Sequence, residues 1–469
     1  MADDLTPILR QPLAEQLGAS LSAAIPTGTP RRVHGSVSQP GKATAVIGMR
    51  RAGKTTFLHQ LRHERLASGI PQERLPYVNF EDERLAGVEA KHLGLLVEEY
   101  YRRFPEIRGH ETVIWCFDEI QQVPGWERFV RRLLDTEKVE IFISGSSAAL
   151  LSREVATSMR GRGWEVLIHP FSFEEFLRHH GDAVPMDAKA VTPAERSALE
   201  HVLARYLEVG GFPEAQPLDA ADRYELLLRY VDVAMLRDVM ERHNVSNVAA
   251  LHWLVRQLLG SPGGLFSVEK FYARLKSQGL AVSRDTLYAL ARYLEDCFLV
   301  RTVWMEADSE RQRMVNPRKV YPVDAGLIPI FDQSGRANRG HALEVALRVE
   351  LERRRMEVTY VKTKAGFEVD FLARRPGSQP MLIQVAAELD DPSAREREVR
   401  ALLAAHEEHP RTSMHLVTLT PEAAGGIPST VSVYPAWQWL LAPWKSRRRT
   451  QKTRTSALPN PKPGTAEVG

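Results

Sequence analysis

The sequence of 469 residues contains only two cysteines, Cys116 and Cys297, and both lie inside apolar runs. Neither a disulfide framework nor a thiolate metal site is therefore expected. Long hydrophobic runs are also missing, since none approaches the roughly 18 apolar residues that span a bilayer. The N-terminus, MADDLTPILR, lacks a signal-peptide pattern. These absences predict a cytoplasmic protein without a membrane partner.

An excess of charge of one sign is missing as well. The 62 Lys and Arg residues nearly balance the 59 Asp and Glu residues, and the net charge is +3. This balance argues against a uniformly basic protein that wraps nucleic acid, but it leaves room for local basic patches. The hydrophobic share of 43% is that of an ordinary globular protein. The length predicts roughly two to four domains.

The strongest motif is GMRRAGKT, which matches the G-x-x-x-x-G-K-[ST] phosphate loop between a β-type run and a helical pattern. In such a loop, backbone N–H groups and a helix N-terminus surround phosphate oxygens, while the lysine contacts the terminal phosphates. The alternative is a simple glycine turn before a helix. The motif predicts ATP and Mg²⁺ as cofactors, with Lys54 also catalytic and Thr55 a metal ligand, and it predicts these cofactor-binding residues: Gly48, Arg50, Arg51, Ala52, Gly53, Lys54, Thr55 and Thr56.

A second motif is VIWCFDEIQQVPGW, in which an apolar strand ends in Asp118 and Glu119. We expect this strand to lie beside the phosphate loop. Asp118 would then bind the nucleotide's Mg²⁺ through water, and Glu119 would polarise the attacking water as the catalytic base. The alternative is that the two acids only cap the following helix.

Two further segments supply candidate catalytic residues. The next predicted strand ends in the stretch 144–147, where Ser146 could sense the γ-phosphate, although an N-cap role fits nearly as well. Arg160 and Arg162 precede the last predicted strand, WEVLI. We expect Arg162 to reach the nucleotide of a neighbouring subunit in a ring and to stabilise the transferred phosphoryl group. Surface salt bridging is the alternative.

These motifs, together with RGRGWEVLIHPFSFEEF and YLEVGGFPEA, resemble a bacterial and archaeal AAA-type P-loop ATPase family. Its members join the ATPase core to a winged helix and to a C-terminal restriction-endonuclease-like domain of uncharacterised function. The resemblance covers residues from about 43 to about 419. It implies an architecture more than a biological role.

Alternating β-type and helical patterns predict a parallel α/β sheet followed by a helical lid, and two helices that begin at Ser, followed by a strand pair, predict a winged helix. Together with the resemblance, they imply the fold class: α/β, with a P-loop AAA+ ATPase core, a helical lid, a winged-helix domain and a C-terminal PD-(D/E)xK-like α/β domain. Low apolar content predicts that the basic tail is disordered. The predicted boundaries are residues 1–40 for an N-terminal lead-in and linker, 41–175 for the ATPase core, 176–245 for the lid, 246–335 for the winged helix, 336–442 for the nuclease-like domain and 443–469 for the tail.

The stretch EVDFLARRPGSQPMLIQVAAE predicts two strands joined by a turn. Period-two geometry puts Glu368 and Asp370 on one face of the first strand and Gln384 and Ala386 on one face of the second, near the helical Glu344. A metal-dependent nuclease needs several carboxylates and a lysine, but Gln384 is uncharged and Ala386 stands where the lysine is expected. We therefore predict a vestigial nuclease site of Glu344, Asp370 and Gln384 without nuclease activity, unless Glu388 replaces a ligand.

The DNA prediction rests on local basic segments. The expected wing of the winged helix contains Arg311, Arg313, Arg318 and Lys319, enough to contact a DNA backbone, and the tail KSRRRTQKTR could add contacts. We expect an ATP-hydrolysing AAA+ motor or switch that acts on branched or single-stranded DNA by translocation, remodelling or branch migration, as a hexamer-like ring. The alternatives are a nucleotide-switch signalling ATPase with a partner-binding C-terminal domain, and an ATP-gated defence nuclease.

Overall fold

Two β-sheets organise the chain, whose computed structural model describes residues 6–145, 159, 161–188, 190–332, 338–423 and 425–443. The first sheet is entirely parallel and has the strand order β2-β3-β4-β1-β5. Its strands are β1 (Ala43–Ile47), β2 (Tyr77–Asn79), β3 (Val113–Asp118), β4 (Val139–Ser144) and β5 (Gly163–Leu167). All residues of β1 and β3 are buried, as expected for parallel strands covered on both faces. The predicted parallel α/β architecture is confirmed.

Helices cover this sheet, and the first of them comes from the segment that the sequence predicts to be a lead-in. They are α1 (Thr6–Ser22), α2 (Lys54–Ala67), α3 (Leu93–Arg103) and α4 (Trp126–Thr136). Leu9, Leu13 and Leu17 of α1 are buried in the same core as β3, and the Gln16 side-chain amide donates to the Asn79 carbonyl oxygen at 3.1 Å. Residues 6–22 are therefore part of the ATPase domain.

The helices expected as a lid follow this sheet in the chain. They are α5 (Phe173–His180), α6 (Pro193–Val209) and α7 (Ala220–Val233), and α7 continues into a π-helical segment, Ala234–Glu241. Ser172 with Glu175, and Thr192 with Glu195, form reciprocal capping boxes that fix the starts of α5 and α6. A π-helical segment of this kind is rare and is often found at functional positions.

Five helices and a small antiparallel sheet come next, in the region expected to be a winged helix. The elements are α8 (Val248–Leu259), β6 (Leu265–Phe266), α9 (Val268–Ser277), α10 (Arg284–Asp296), β7 (Val300–Met305), α11 (Glu310–Val315), β8 (Arg318–Pro322) and α12 (Ile328–Phe331). Ser267 and Ser283 cap α9 and α10 with their side chains. The assignment as a winged helix stays a prediction.

The C-terminal region contains α13 (Arg339–Arg353), β9 (Glu357–Lys362), β10 (Glu368–Arg374), β11 (Met381–Ala386), α14 (Pro392–Glu408), β12 (Ser413–Thr418), β13 (Val431–Pro435) and α15 (Ala436–Leu441). Its strands join the preceding ones in one eight-stranded sheet, β13-β12-β11-β10-β9-β7-β8-β6. The junction is a short parallel pairing of Trp304 with Thr359 and of Met305 with Tyr360. The predicted boundary between residues 335 and 336 therefore divides a single sheet.

Two further predictions concern the basic C-terminal tail and membrane-spanning helices. The basic tail predicted at 443–469 lies outside the described residues, apart from residue 443. Among the described helices, none has the length and apolar character that crossing a bilayer requires.

The docking of α1 on the ATPase domain can be tested by truncating one buried side chain. Leu17→Ala removes a fully buried side chain and should lower the free energy of unfolding by about 2–5 kcal/mol. Leu66→Ala is the matched control, because Leu66 is 40% exposed, and it should change that free energy by less than about 0.5 kcal/mol. Urea denaturation followed by circular dichroism measures both. Equal effects of the two substitutions would contradict the docking of α1.

Candidate nucleotide site and C-terminal carboxylate cluster

The predicted phosphate loop connects β1 to α2, and its backbone requires glycine at two positions. Gly48 has φ +146°, and a Cβ atom there would lie 2.2 Å from the carbonyl oxygen of Ile168. Gly53 has φ +99° and precedes the first residue of α2, so it offers no side chain to cap that helix. The N–H groups at the start of α2 can therefore meet an anionic ligand.

Lys54 is the first residue of α2 and is almost fully buried, with 5% exposure. Its ammonium group donates to the carbonyl oxygens of Gly48 at 3.2 Å and of Met49 at 3.1 Å, so its side chain folds back into the loop. Burial lowers the pKa of Lys54, and the nearby Glu119 and Asp118 carboxylates oppose that shift. The structure thus brings the lysine and both acids into one buried neighbourhood.

Asp118 is buried at the end of β3, where three hydroxyl groups donate to its carboxylate. Thr55 Oγ1 and the Tyr77 hydroxyl each donate to Oδ2 at 2.7 Å, and Ser144 Oγ donates to Oδ1. The end of β3 thus contacts the first turn of α2, directly after the phosphate loop, although β4 lies between β1 and β3 in the sheet. Ser144 at the end of β4 therefore fills the space between the phosphate loop and the acids.

Tyr77 is the site residue that the sequence analysis missed. Its position in β2 pairs with Cys116, two residues before Asp118, so its side chain reaches the carboxyl end of β3. Burial and the adjacent Asp118 carboxylate raise the pKa of Tyr77 far above its ordinary value, so its hydroxyl keeps its proton. The available signal was a tyrosine, with its polar hydroxyl, at the start of the β-type run YVNF.

Glu119 has a left-handed backbone, with φ +51°, which is uncommon for a residue with a Cβ atom. Its N–H group donates to Ser144 Oγ at 3.1 Å, and its carboxylate accepts a hydrogen bond from the Gln121 side-chain amide. Burial raises the pKa of Glu119, while the Lys54 ammonium partly offsets that rise. A partly buried carboxylate with a raised pKa beside a phosphate loop is a stronger proton acceptor than an ordinary glutamate.

The two arginines of the loop point toward the lid. Arg50 forms two-pronged contacts with Asp238 in the π-helical segment, with the closest N–O distance at 3.0 Å. Arg51 pairs with Glu214 at 3.0 Å. Burial raises the pKa of Asp238, and Arg50 opposes that shift. The side chains of these predicted cofactor-binding residues thus connect the loop to the lid in this structure.

Arg31 also contacts the loop, although the sequence analysis treated its segment as a linker. Its Nη1 donates to the Ala52 carbonyl oxygen at 2.7 Å, and its Nε lies 3.2 Å from the Glu175 carboxylate. Arg31 is 6% exposed and Glu175 is 1% exposed. A buried guanidinium of this kind needs such a partner, so the pair fixes the loop relative to α5.

The remaining catalytic candidates are only partly described. Arg162 lies at the start of β5, with its side chain 42% exposed, and pairs with Asp135 of α4. Ser146 and Arg160 lie outside the described residues. The catalytic roles of Ser146 and Arg162 stay predictions.

In the C-terminal region the predicted nuclease-like residues do come together, but with a lysine from another element. Lys319 of β8 places its ammonium group 2.9 Å from Asp370 Oδ1, 2.9 Å from Glu368 Oε1 and 3.5 Å from Glu344 Oε1. We call these four residues the carboxylate cluster. Lys319 is 3% exposed, so its expected role in contacting DNA from the wing was wrong.

Hydrogen bonds surround the carboxylate cluster. The Tyr321 hydroxyl donates to Glu344 Oε1 at 2.7 Å, and the Gln384 side-chain amide donates to Glu398 at 2.6 Å. Burial and the nearby Asp370 carboxylate raise the pKa of Glu344 to about 7. Gln384 therefore bonds to α14 instead of adding a ligand to the cluster.

The other wing arginines leave less basic surface than the sequence suggests. Arg318 lies over the Trp304 ring, with its guanidinium carbon 3.7 Å from the ring centre. Arg313 pairs with Glu310 at 3.1 Å, whereas Arg311 is exposed. The wing therefore offers fewer free cations for a DNA backbone than expected.

Comparison with known proteins agrees with the nucleotide-site geometry. A family model described as an AAA domain matches residues 40–177, and a domain of unknown function (DUF8612) matches residues 200–334. Uncharacterized protein MJ1544 of Methanocaldococcus jannaschii is 33% identical over 414 residues, which cover 86% of this chain and 89% of that protein. The chain belongs to the family of MJ1544. It contains an AAA-type P-loop ATPase domain.

Further similarities extend beyond the ATPase domain. An uncharacterized protein of Haemophilus influenzae is 30% identical over 347 residues, or 74% of this chain and 82% of that protein. Among solved structures, the Walker-type ATPase paby2304 of Pyrococcus abyssi matches with a TM-score of 0.38 and 17% identity, over 69% of this chain and 95% of its own. The Aeropyrum pernix Orc1 protein, solved in complex with DNA, matches with a TM-score of 0.26 and 16% identity, over 71% and 95%.

The hydrogen bond from Tyr77 to Asp118 should contribute measurably to stability. Tyr77→Phe removes only the hydroxyl and should lower the free energy of unfolding by about 1–2 kcal/mol, because the carboxylate loses one of its donors. Tyr288→Phe, at a position that is 42% exposed, is the matched control and should have little effect. Chemical denaturation measures both variants. No difference between them would show that the Tyr77 hydroxyl does not support the acid.

Proposed function

We propose that this protein is an ATP-hydrolysing AAA+ motor or switch that requires Mg²⁺, assembles as a ring and acts on DNA. The AAA domain match supports nucleotide chemistry. The observation that carries hydrolysis is the 2.7 Å contact between Thr55 and Asp118, beside the buried Lys54 and Glu119. These four side chains have the chemistry that a metal-assisted phosphoryl transfer needs.

The residues of the nucleotide site would have the following roles. Backbone N–H groups of the loop and of the start of α2 hold the phosphates, and Lys54 leaves the loop carbonyls to neutralise the terminal phosphate oxygens. Thr55 and Asp118 have the oxygen ligands that suit Mg²⁺, which when bound neutralises charge on the phosphates. Glu119 takes the proton of the attacking water. Tyr77 and Ser144 keep Asp118 oriented.

The ring supplies the remaining catalytic groups in this proposal. Arg162 would leave Asp135 and reach the nucleotide of the adjacent subunit, where it offsets the charge of the transferred phosphoryl group. Ser146 would sense the γ-phosphate. The support for the first step is that Arg162 has a half-exposed side chain whose ion pair, with the exposed Asp135, is of the weak surface type.

Glu119→Gln should separate hydrolysis from binding. The amide keeps the shape of the side chain but cannot accept a proton, so ATP turnover should fall about 10²–10⁴-fold while nucleotide affinity is kept. Glu83→Gln, an exposed acid in the same domain, is the matched control and should hydrolyse ATP normally. Phosphate release and binding of a fluorescent ATP analogue measure the two properties.

Lys54→Ala extends this experiment, because it should abolish nucleotide binding itself. Wild-type turnover by Glu119→Gln would remove the assigned base and with it the proposed mechanism. Normal binding and turnover by Lys54→Ala would remove the nucleotide site.

Support for DNA comes from an open groove between α7, α8, α9 and α12, with a cavity of about 900 Å³. Trp253 is 49% exposed and Tyr224 is 43% exposed beside it. Arg256 and Arg274 also line it. Exposed aromatic faces that stack on bases, together with arginines that contact phosphates, are typical of sites for single strands. We refer to these four residues as the Trp253 groove.

Charge also favours a nucleic acid in this groove. Arg256 and Arg274 line the groove and are both exposed. Arg274 donates to Gln257 at 2.7 Å, and Asp332 is the acidic residue that lines the groove. Two arginines against one acid give the groove a net positive charge. We therefore propose that single-stranded DNA binds in the Trp253 groove.

The Trp253 groove can be tested with two aromatic variants. Trp253→Ala and Tyr224→Ala should each weaken binding of a labelled single-stranded oligonucleotide by about 5–150-fold, which is the effect of losing one stacked base. Tyr288→Ala is the matched control, because Tyr288 is 42% exposed but lines a different pocket. Fluorescence anisotropy at low salt measures affinity, and phosphate release measures whether DNA stimulates ATP turnover.

The opposite outcome favours a nucleotide switch. If single-stranded, duplex and forked DNA fail to bind at low salt and leave ATP turnover unchanged, the DNA proposal is wrong. The contacts of Arg50 with Asp238 and of Arg51 with Glu214 then become the central observation, because they connect the phosphate loop to the lid. A switch predicts that ATP and ADP change the oligomeric state without DNA, which light scattering detects.

A further inference from the structure

The resemblance of the C-terminal region to restriction endonucleases implies a divalent cation held by carboxylates, so the carboxylate cluster can be tested for fit. A magnesium ion takes near-octahedral oxygen ligands and binds through carboxylates that point toward it. Here Glu344, Glu368 and Asp370 point toward the same position, but the Lys319 ammonium group occupies it. The cluster therefore already contains one cation, and that cation is part of the chain.

Other hydrogen bonds engage two of the six carboxylate oxygens. Asp370 Oδ2 accepts from the Val385 N–H group at 3.0 Å, and Glu344 Oε1 accepts from Tyr321 as well as from Lys319. The Glu344 carboxylate also packs against Gly263, where a Cβ atom would lie 2.9 Å and 3.0 Å from its two oxygens. Within the described ranges, no group of three or more Asp, Glu, His or Cys side chains has an arrangement that could bind a metal.

The ammonium group is well suited to stay charged in this position. Burial alone would lower the pKa of Lys319, but the Asp370, Glu344 and Glu368 carboxylates raise it far above its ordinary value. An ammonium group that donates to several carboxylates offsets their mutual repulsion, as a bound metal ion would. Lys319 thus has the charge and the contacts of a built-in counterion.

We infer that the Lys319 ammonium group replaces the divalent cation in the carboxylate cluster and makes this region a metal-independent module. Lys319 belongs to β8, and its partners belong to α13 and β10, so the same contacts also connect the strands on either side of the β7–β9 junction in the eight-stranded sheet. The inference does not depend on the ATPase or the DNA proposal, because none of the four cluster residues belongs to the nucleotide site or lines the Trp253 groove.

Manganese binding to the nucleotide-free full chain tests this inference. Lys319→Ala leaves three carboxylates without their cation, so it should bind Mn²⁺ at least tenfold more tightly than the wild type does, as measured by electron paramagnetic resonance. Adding Glu368→Gln to Lys319→Ala should reverse this gain, which assigns it to the carboxylate cluster and not to Thr55 and Asp118. Circular dichroism checks that each variant is folded.

A second comparison needs no change at Lys319 and keeps the test valid if that variant fails to fold. The wild type and Glu368→Gln, whose altered side chain is 36% exposed, should bind Mn²⁺ equally, and neither should nick supercoiled plasmid with Mg²⁺ or Mn²⁺. Binding by the wild type that is lost in Glu368→Gln would overturn the inference, because the lysine would then accompany a metal ion. A folded Lys319→Ala variant without any gain in Mn²⁺ affinity would overturn it too.

Discussion

The buried carboxylate of Asp118 is the constraint on which the arrangement of the ATPase domain depends. A carboxylate at 1% exposure is costly unless hydrogen bonds replace its hydration. Thr55, Tyr77 and Ser144 supply those bonds from α2, β2 and β4. The hydrogen bonds to this one carboxylate therefore hold α2 close to β2 and β4, the two strands that flank β3. Lys54 and Glu119 lie close enough to this acid to interact with it electrostatically.

The phosphate loop is held from two further directions, and these contacts differ in strength. Arg31 and Glu175 are both buried, so breaking that pair would leave an uncompensated charge, and the loop should keep this contact throughout turnover. Arg51 and Glu214 are about half exposed, and such pairs contribute little. The Arg50–Asp238 pair is intermediate in burial between these two pairs. The part of the lid that contains Glu214 and Asp238 should therefore separate from the loop at a lower cost than α5, the first lid helix.

The ATPase site was largely predictable because its motifs are local. A glycine-rich loop between a strand and a helix, and a strand that ends in two acids, are visible within a few residues. Tyr77 and Arg31 were not predictable in this way, because their roles depend on partners 41 and 21 residues away in the chain. The strand order also escaped prediction, since periodicity identifies strands but not their neighbours. The packing of α1 on the ATPase domain was not predicted for the same reason, because periodicity does not identify the partner of a helix.

The C-terminal region shows how a missing residue in a motif can be replaced from elsewhere in the chain. The sequence places Ala386 where a lysine is expected, and from the motif alone the site lacks a cation. The parallel pairing of β7 with β9 brings the preceding strands against this region, and Lys319 reaches Asp370 across 51 residues of sequence. A buried lysine is costly without carboxylate partners, and the carboxylates here would repel one another without the lysine. The predicted winged-helix and nuclease-like regions therefore share one sheet and one buried cluster of charged residues.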